Sequence, residues 1–251
     1  MATAKKGTGF GPVPGLSRTR IDKAGVVLRD YWAGRRDVDD EVVQAFQVMI
    51  EFRATFQAPL DKTVTGLRSM VCSEWPELKQ KDARVPVVQR LKRREQICSK
   101  LERMPDSKLS NMGDIGGCRA VLETREMVDG VLRRIKKNWS LLGPPRDTRD
   151  EPSARSFGYR AVHVIAVRDG RRIEIQLRDP REHEWALAVE RTGQRLGIPL
   201  KEGLGPDDLK EYFRMASEGM YLDSIGEPPS REFLERFNAA RRQVVPRYFT
   251  N

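Results

Sequence analysis

The stretch RDGRRIEIQLRD, residues 168–179, decides the fold. Asp169-Gly170 is a turn signal between two runs of alternating residues. After it, Ile173, Ile175 and Leu177 face one way and Glu174, Gln176 and Arg178 the other, the period-two pattern of a half-buried strand. Before it, YRAVHVIAV (159–167) supplies the other arm of a hairpin. The polar face of the second arm carries an acid, an amide and a base in a row. A solvated strand face is the ordinary meaning of such a pattern. The floor of an active site is the alternative.

Outward from the hairpin, VPVVQRLK (85–92) and CRAVLE (118–123) also read as strands. Helical spacing marks REQICSKLERM (94–104), REMVDGVLRRIKKNW (125–139) and REHEWALAVERTGQRLG (181–197). Residues 141–158, rich in Pro, Gly and charge, read as loop. Two helices precede the strands. One carries Val42, Val43, Phe46, Met49, Ile50 and Phe56. The second, beyond Pro59, carries Leu60, Val64, Leu67, Met70 and Val71. Two or three more follow Gly203, separated at GEPP (226–229). This alternation predicts an α/β fold, a mixed sheet flanked by helices, with helical N- and C-terminal extensions. The expected layout is a flexible tail over 1–20, N-terminal helices over 37–78, a central domain over 79–198 and C-terminal helices over 203–251.

The bulk numbers narrow the function. The chain has 251 residues, long enough to bury a proper core. Lys and Arg number 46 against 36 Asp and Glu, and the net charge of +10 points to a polyanionic partner. Cys72, Cys98 and Cys118 are odd in number and widely spaced. They form neither a disulfide framework nor a metal site, so a reducing, cytoplasmic compartment is expected. No apolar run is long enough to span a bilayer, and the N-terminus lacks the apolar core of a secretory signal.

Three further stretches carry chemistry. In MGDIGGCRAV (112–121), Asp114 precedes a Gly-Gly pair and a strand. Asp before Gly is commonly only a turn. With Glu174, 60 residues on and on a neighbouring strand, it makes a carboxylate pair that can bind Mg2+, one acid also able to act as a base. In SFGYRAVHVI (156–165), Tyr159 sits where a loop enters a strand. It is either core or a flat face for a base to stack on. QRLKRREQICSKLER (89–103) gathers Arg90, Lys92, Arg93, Arg94, Lys100 and Arg103, a basic set that suits a triphosphate or is a solvated helix face.

In order, RLK with its helix, DIGGCRAV, GYRAVH and EIQLRD with HEWA resemble the synthetase domain of the RelA/SpoT homologues over roughly residues 85–195. That resemblance implies a nucleotidyltransferase-like fold and a pyrophosphokinase. Such enzymes use ATP and Mg2+ to move the β,γ-pyrophosphate to a ribose 3′-hydroxyl, releasing AMP. It implies that Asp114 and Glu174 hold Mg2+ and that Glu174 activates the hydroxyl. By the same resemblance Tyr159 stacks on the acceptor base, with Arg160, His163, Gln176 and Arg178 as acceptor contacts. Arg90, Lys92, Lys100, Arg119 and Arg155 take the ATP side.

The chain departs from the common pattern with Gln96 in place of Ser, Asp179 in place of Thr, and ARSF where Pro-Lys is frequent. It shows no His-Asp hydrolase motif and no long regulatory region, so a small standalone synthetase is expected. DIGGCRAV and GYRAVH look closest to the toxic small alarmone synthetases of toxin–antitoxin and phage-defence systems. The resemblance then implies transfer to the 3′-CCA end of tRNA, inhibition of translation and an antitoxin partner. Candidate tRNA contacts are Arg133, Arg134, Lys136, Lys137, Arg241 and Arg242. The alternatives are an alarmone synthetase using GDP or GTP, and an inactive RNA- or nucleotide-binding module.

Overall fold

The computed structural model describes residues 15–76, 87–151 and 157–249. Three helices open the described chain: α1 (Arg18–Trp32), α2 (Asp40–Ala54) and α3 (Gln57–Glu74). Then come β1 (Val87–Leu91), α4 (Arg94–Arg103), β2 (Gly116–Val121), α5 (Arg125–Asn138), β3 (Arg146–Asp147), β4 (Val162–Arg168) and β5 (Arg171–Arg178). The helices α6 (Pro180–Leu196), α7 (Asp207–Ser224) and α8 (Arg231–Tyr248) close it. The expected α/β class holds.

Helix α1 corrects the expectation of a tail running to residue 20. Ser17 caps it by accepting from the Arg20 N–H, and its buried stripe is Ile21, Ala24, Gly25 and Leu28. Two of those four residues are too small to register as hydrophobic periodicity. At Gly25 the reason is a close approach: a Cβ there would lie 2.9 Å from Leu109 Cβ. The segment expected as loop also contains β3 and an isolated bridge between Leu141 and Ala166.

The five strands form one sheet in the order β1-β2-β5-β4-β3. β1 runs antiparallel to β2, with Arg90 opposite Gly117. Gly117 lies against Glu174, and the Leu122 N–H donates to the Arg178 carbonyl. Those pairs ascend together, so β2 and β5 are parallel and the sheet is mixed. The β4–β5 turn has positive φ at Asp169 (47°) and Gly170 (71°), the primed geometry that matches strand twist.

The chain divides into two compact units. The first comprises residues 1–120, 130–145 and 163–176, the second residues 121–129, 146–162 and 177–251. In the first, Ile173, Ile175, Ala120 and Phe56 are fully buried or nearly so. A Cβ on Gly116 would meet Ile173 at 3.0 Å and Phe56 at 3.3 Å, so the first glycine of the pair is set by packing. The second unit has its own core of Phe157, Trp185, Val189, Leu200, Leu209, Phe213 and Val244. Helix α6 enters it through a capping box between Asp179 and Glu182, with Pro180 in the first turn and Gly197 left-handed at the end. That explains Asp179: an N-cap accepts Asp as readily as Thr.

Candidate active site

Alternation along β5 buries Arg171, Ile173, Ile175 and Leu177 and leaves Arg172, Glu174 and Gln176 half-exposed. The same alternation along β2 and β4 places Gly117, Arg119 and His163 on half-exposed positions. Opposite residues of an antiparallel pair share a face, so Arg90 belongs with Gly117. Having no side chain, Gly117 leaves the floor between Arg90 and Glu174 open.

Glu174 is held from two sides. The His163 Nδ1–H donates to Oε1 at 2.9 Å, and the Gln176 amide donates to Oε2 at 3.4 Å. Burial pushes its carboxyl up, while the hydrogen bond and charge of His163 pull it down, and the net result lies below the ordinary carboxylate range. Glu174 is therefore ionised at neutral pH. Just behind, burial and the Glu174 charge push the Cys118 thiol up to about 12, which leaves it inert. All three cysteines are free thiols.

Asp114 lies immediately before β2. Lys92 and Lys100 each reach its Oδ2 at 2.9 Å. The backbone sets Lys92 in place: its N–H donates to the Ile115 carbonyl, and its own carbonyl accepts from Arg53 Nε at 2.7 Å. Burial raises the Asp114 carboxyl, but the two lysines outweigh it and hold the group below its usual range. The Asp114 and Glu174 charges feel one another. Asp114 Oδ1 is buried without a hydrogen-bond partner, an acceptor of the hard oxygen type that Mg2+ takes. The two acids thus fit a divalent cation that completes its shell with phosphate and water. Among the described residues no group of three or more His, Cys, Asp or Glu could hold a metal unaided.

The acceptor-side candidates Tyr159, Arg160 and Arg178 lie in the second unit. Tyr159 precedes β4 and is half-buried, packed edge-on against Trp185 at 6.4 Å. Arg178 donates to the Tyr159 hydroxyl and lies over its ring, 4.9 Å from the centroid. The ring is thus braced by Arg178 and Trp185. Arg160, expected as an acceptor contact, is engaged within the protein. It is 5% exposed, binds Ser217, Glu218 and the Arg149 carbonyl, and stacks on Tyr221 at 4.2 Å. Its role is to fasten the Tyr159 loop to α7.

Arg155 lies outside the described residues. Of the candidate tRNA contacts, Arg133, Lys136 and Lys137 are exposed on α5, and Arg241 and Arg242 on α8. Arg134 is instead paired with Glu74 at 2.8 Å. Sequence reasoning missed Glu182, which packs beside Gly158, Trp185 and Tyr221. Burial and then the Asp179 charge push its carboxyl up to about 7. The capping-box pattern marks the residue but not its burial.

Residues 89–192 match the family described as the region found in RelA / SpoT proteins. The matched span includes Arg90, Lys92, Lys100, Asp114, Tyr159, His163 and Glu174, and ends before Arg241 and Arg242. An uncharacterized protein of Mycobacterium tuberculosis is 29% identical over 200 residues, covering 78% of this chain and 66% of that protein. The match thus spans just under two thirds of the relative's length. The small alarmone synthetase 1 of Bacillus subtilis, solved with its product pppGpp, superposes with a TM-score of 0.54 at 20% identity. It covers 76% of this chain and 97% of its own. A GTP pyrophosphokinase family protein of Streptococcus pneumoniae gives 0.53 at 20% identity, over 74% and 95%. These likenesses establish the synthetase fold. No helix among the described residues is long and apolar enough to cross a membrane.

Proposed function

We propose that this chain is an ATP pyrophosphokinase that modifies the 3′-hydroxyl at the CCA end of tRNA and so inhibits translation. The observation that carries the chemistry is the pair Asp114 and Glu174, both ionised and coupled, with Lys92 and Lys100 beside them. Asp114 and Glu174 would hold Mg2+, which when bound supplies positive charge to the phosphates. Glu174, kept ionised and oriented by His163, takes the proton from the attacking hydroxyl. Lys92 and Lys100 steady the triphosphate, so that in-line transfer rests on positioning and charge. Retention of both acids speaks against an inactive binding module.

The acceptor rests on electrostatics. A net charge of +10 and exposed Arg133, Lys136, Lys137, Arg241 and Arg242 suit a large polyanion better than one nucleotide. A toxin of this type is held in check by an antitoxin protein. The second reading, a (p)ppGpp synthetase using GDP or GTP, is favoured by the fold shared with an alarmone synthetase that binds pppGpp. One experiment separates the two. The protein is incubated with ATP radiolabelled at the γ-phosphate and either deacylated tRNA or GDP and GTP. Label on tRNA supports the toxin, label on guanine nucleotides alone replaces it, and label on neither removes both.

A further inference from the structure

Asp114 makes both of its ion pairs through one oxygen. Lys92 Nζ and Lys100 Nζ lie 2.9 Å from Oδ2, while Oδ1 is buried and accepts nothing. The three side chains are only 16%, 24% and 22% exposed, in the order Lys92, Lys100 and Asp114. They come from the β1–α4 junction, from within α4 and from the approach to β2, so the tertiary fold brings them together. We propose that this cluster is a latch. Asp114 occupies the two cations that receive the triphosphate, and those cations occupy the carboxylate that receives the metal.

The proposal rests on the ATP reading above. A triphosphate arriving without metal must displace Asp114 and then lie against its bare, buried carboxylate. A divalent cation arriving alone at the free Oδ1 meets a carboxylate already neutralised by two ammonium groups, and it must either lie against them or drive them off Oδ2 without a counter-charge, a costly arrangement. Arriving together, each ligand takes up the partner that the other displaces. Thermodynamic linkage makes the effect mutual: whatever the nucleotide does for metal affinity, the metal does for nucleotide affinity. The latch therefore selects the metal–nucleotide complex over either component, beyond the affinity of Mg2+ for ATP itself.

The test is calorimetric binding of a non-hydrolysable ATP analogue to the full chain, once in EDTA and once in excess Mg2+. It is run on wild type, Asp114→Asn and, should that variant not fold, Asp114→Ser. With the latch, removing the Asp114 charge tightens binding of the metal-free analogue by about 5- to 150-fold, the usual span of such couplings. The gap between EDTA and Mg2+ then narrows. A second arm titrates Mn2+ alone, followed by electron paramagnetic resonance. The folded Lys92→Met/Lys100→Met variant is expected to bind Mn2+ more tightly than wild type. Unchanged or weaker metal-free nucleotide binding in the Asp114 variants, or unchanged or weaker Mn2+ binding in the lysine variant, overturns the latch. If wild type binds the analogue in neither condition, the ATP reading falls and takes the latch with it. If wild type binds normally in Mg2+ and only the variant gains are missing, the latch alone falls.

Discussion

His163 on β4 and Glu174 on β5 meet through a hydrogen bond of 2.9 Å, Nδ1 to Oε1, across a two-residue turn. The bond fixes the Glu174 carboxylate where strand alternation has already aimed it. Glu174→Gln is expected to leave the fold intact and cut transfer by about 10²–10⁴-fold, the usual effect of losing a general base. His163→Ala removes only the brace. It should lower kcat by about tenfold with little change in KM for ATP, and His163→Gln, which keeps a donor, should recover part of it. A His163→Ala enzyme that binds ATP poorly but turns over normally would assign His163 to the nucleotide.

Tyr159 should separate a stacking platform from a core residue. Its hydroxyl is engaged by Arg178 and its ring packs on Trp185. Tyr159→Phe keeps the ring and should leave the acceptor requirement nearly unchanged. Tyr159→Ala should weaken acceptor binding by about 1–3 kcal/mol, with ATP binding unchanged. A large fall in melting temperature at normal acceptor affinity would instead make Tyr159 purely structural.

Arg160 is expected to matter for stability. Its buried guanidinium satisfies two backbone carbonyls, Ser217 and Glu218. Arg160→Met leaves those carbonyls unpaired and should cost about 2–4 kcal/mol, read from denaturant unfolding. Nucleotide binding by the surviving folded protein should match wild type.

Glu182 gives the second unit a pH-dependent stability. Its carboxyl is held at about 7, well above its ordinary 4.5, first by burial and then by Asp179. The folded state therefore holds that proton more tightly than the unfolded chain does. The contribution is complete below the ordinary value of 4.5 and is lost as pH rises through 7. Glu182→Gln keeps the capping box and mimics the protonated form. It should match wild type near pH 4 and exceed it above pH 8 by up to about 3 kcal/mol. Parallel stability curves for the two proteins would show that Glu182 ionises freely.

Charge reversal on α5 tests docking. Arg133, Lys136 and Lys137 changed to Glu should cripple tRNA modification and flatten its salt dependence, each phosphate contact carrying a slope of about −0.9. Binding of the ATP analogue should persist. Normal tRNA modification at moderate salt would place the docking surface elsewhere.

The hairpin and the helix boundaries around it were legible because each is written in local periodicity or turn chemistry. Asp169-Gly170 predicts the turn, and the alternation of residues 173–177 predicts which face Glu174 joins, while Arg178, expected on that face, is buried. Helix α1 was not legible, because two of its four buried residues are the small Ala24 and Gly25, the latter admitting Leu109. The internal bonds of Arg160 were not legible, because its neighbours in sequence say nothing about Ser217 and Glu218, 57 and 58 residues away. Lys92 and Lys100 were recognised as cations, but their engagement with Asp114 is a tertiary fact.

The parallel pairing of β2 with β5 has a consequence for how the site comes into being. His163 and Glu174 are 11 residues apart, a separation that a hairpin closes within microseconds. Asp114 joins them only when a strand 60 residues earlier docks alongside, and such distant parallel pairing is among the slower steps of folding. A growing chain thus carries half of its reactive centre as soon as β5 leaves the ribosome, and the other half closes afterwards.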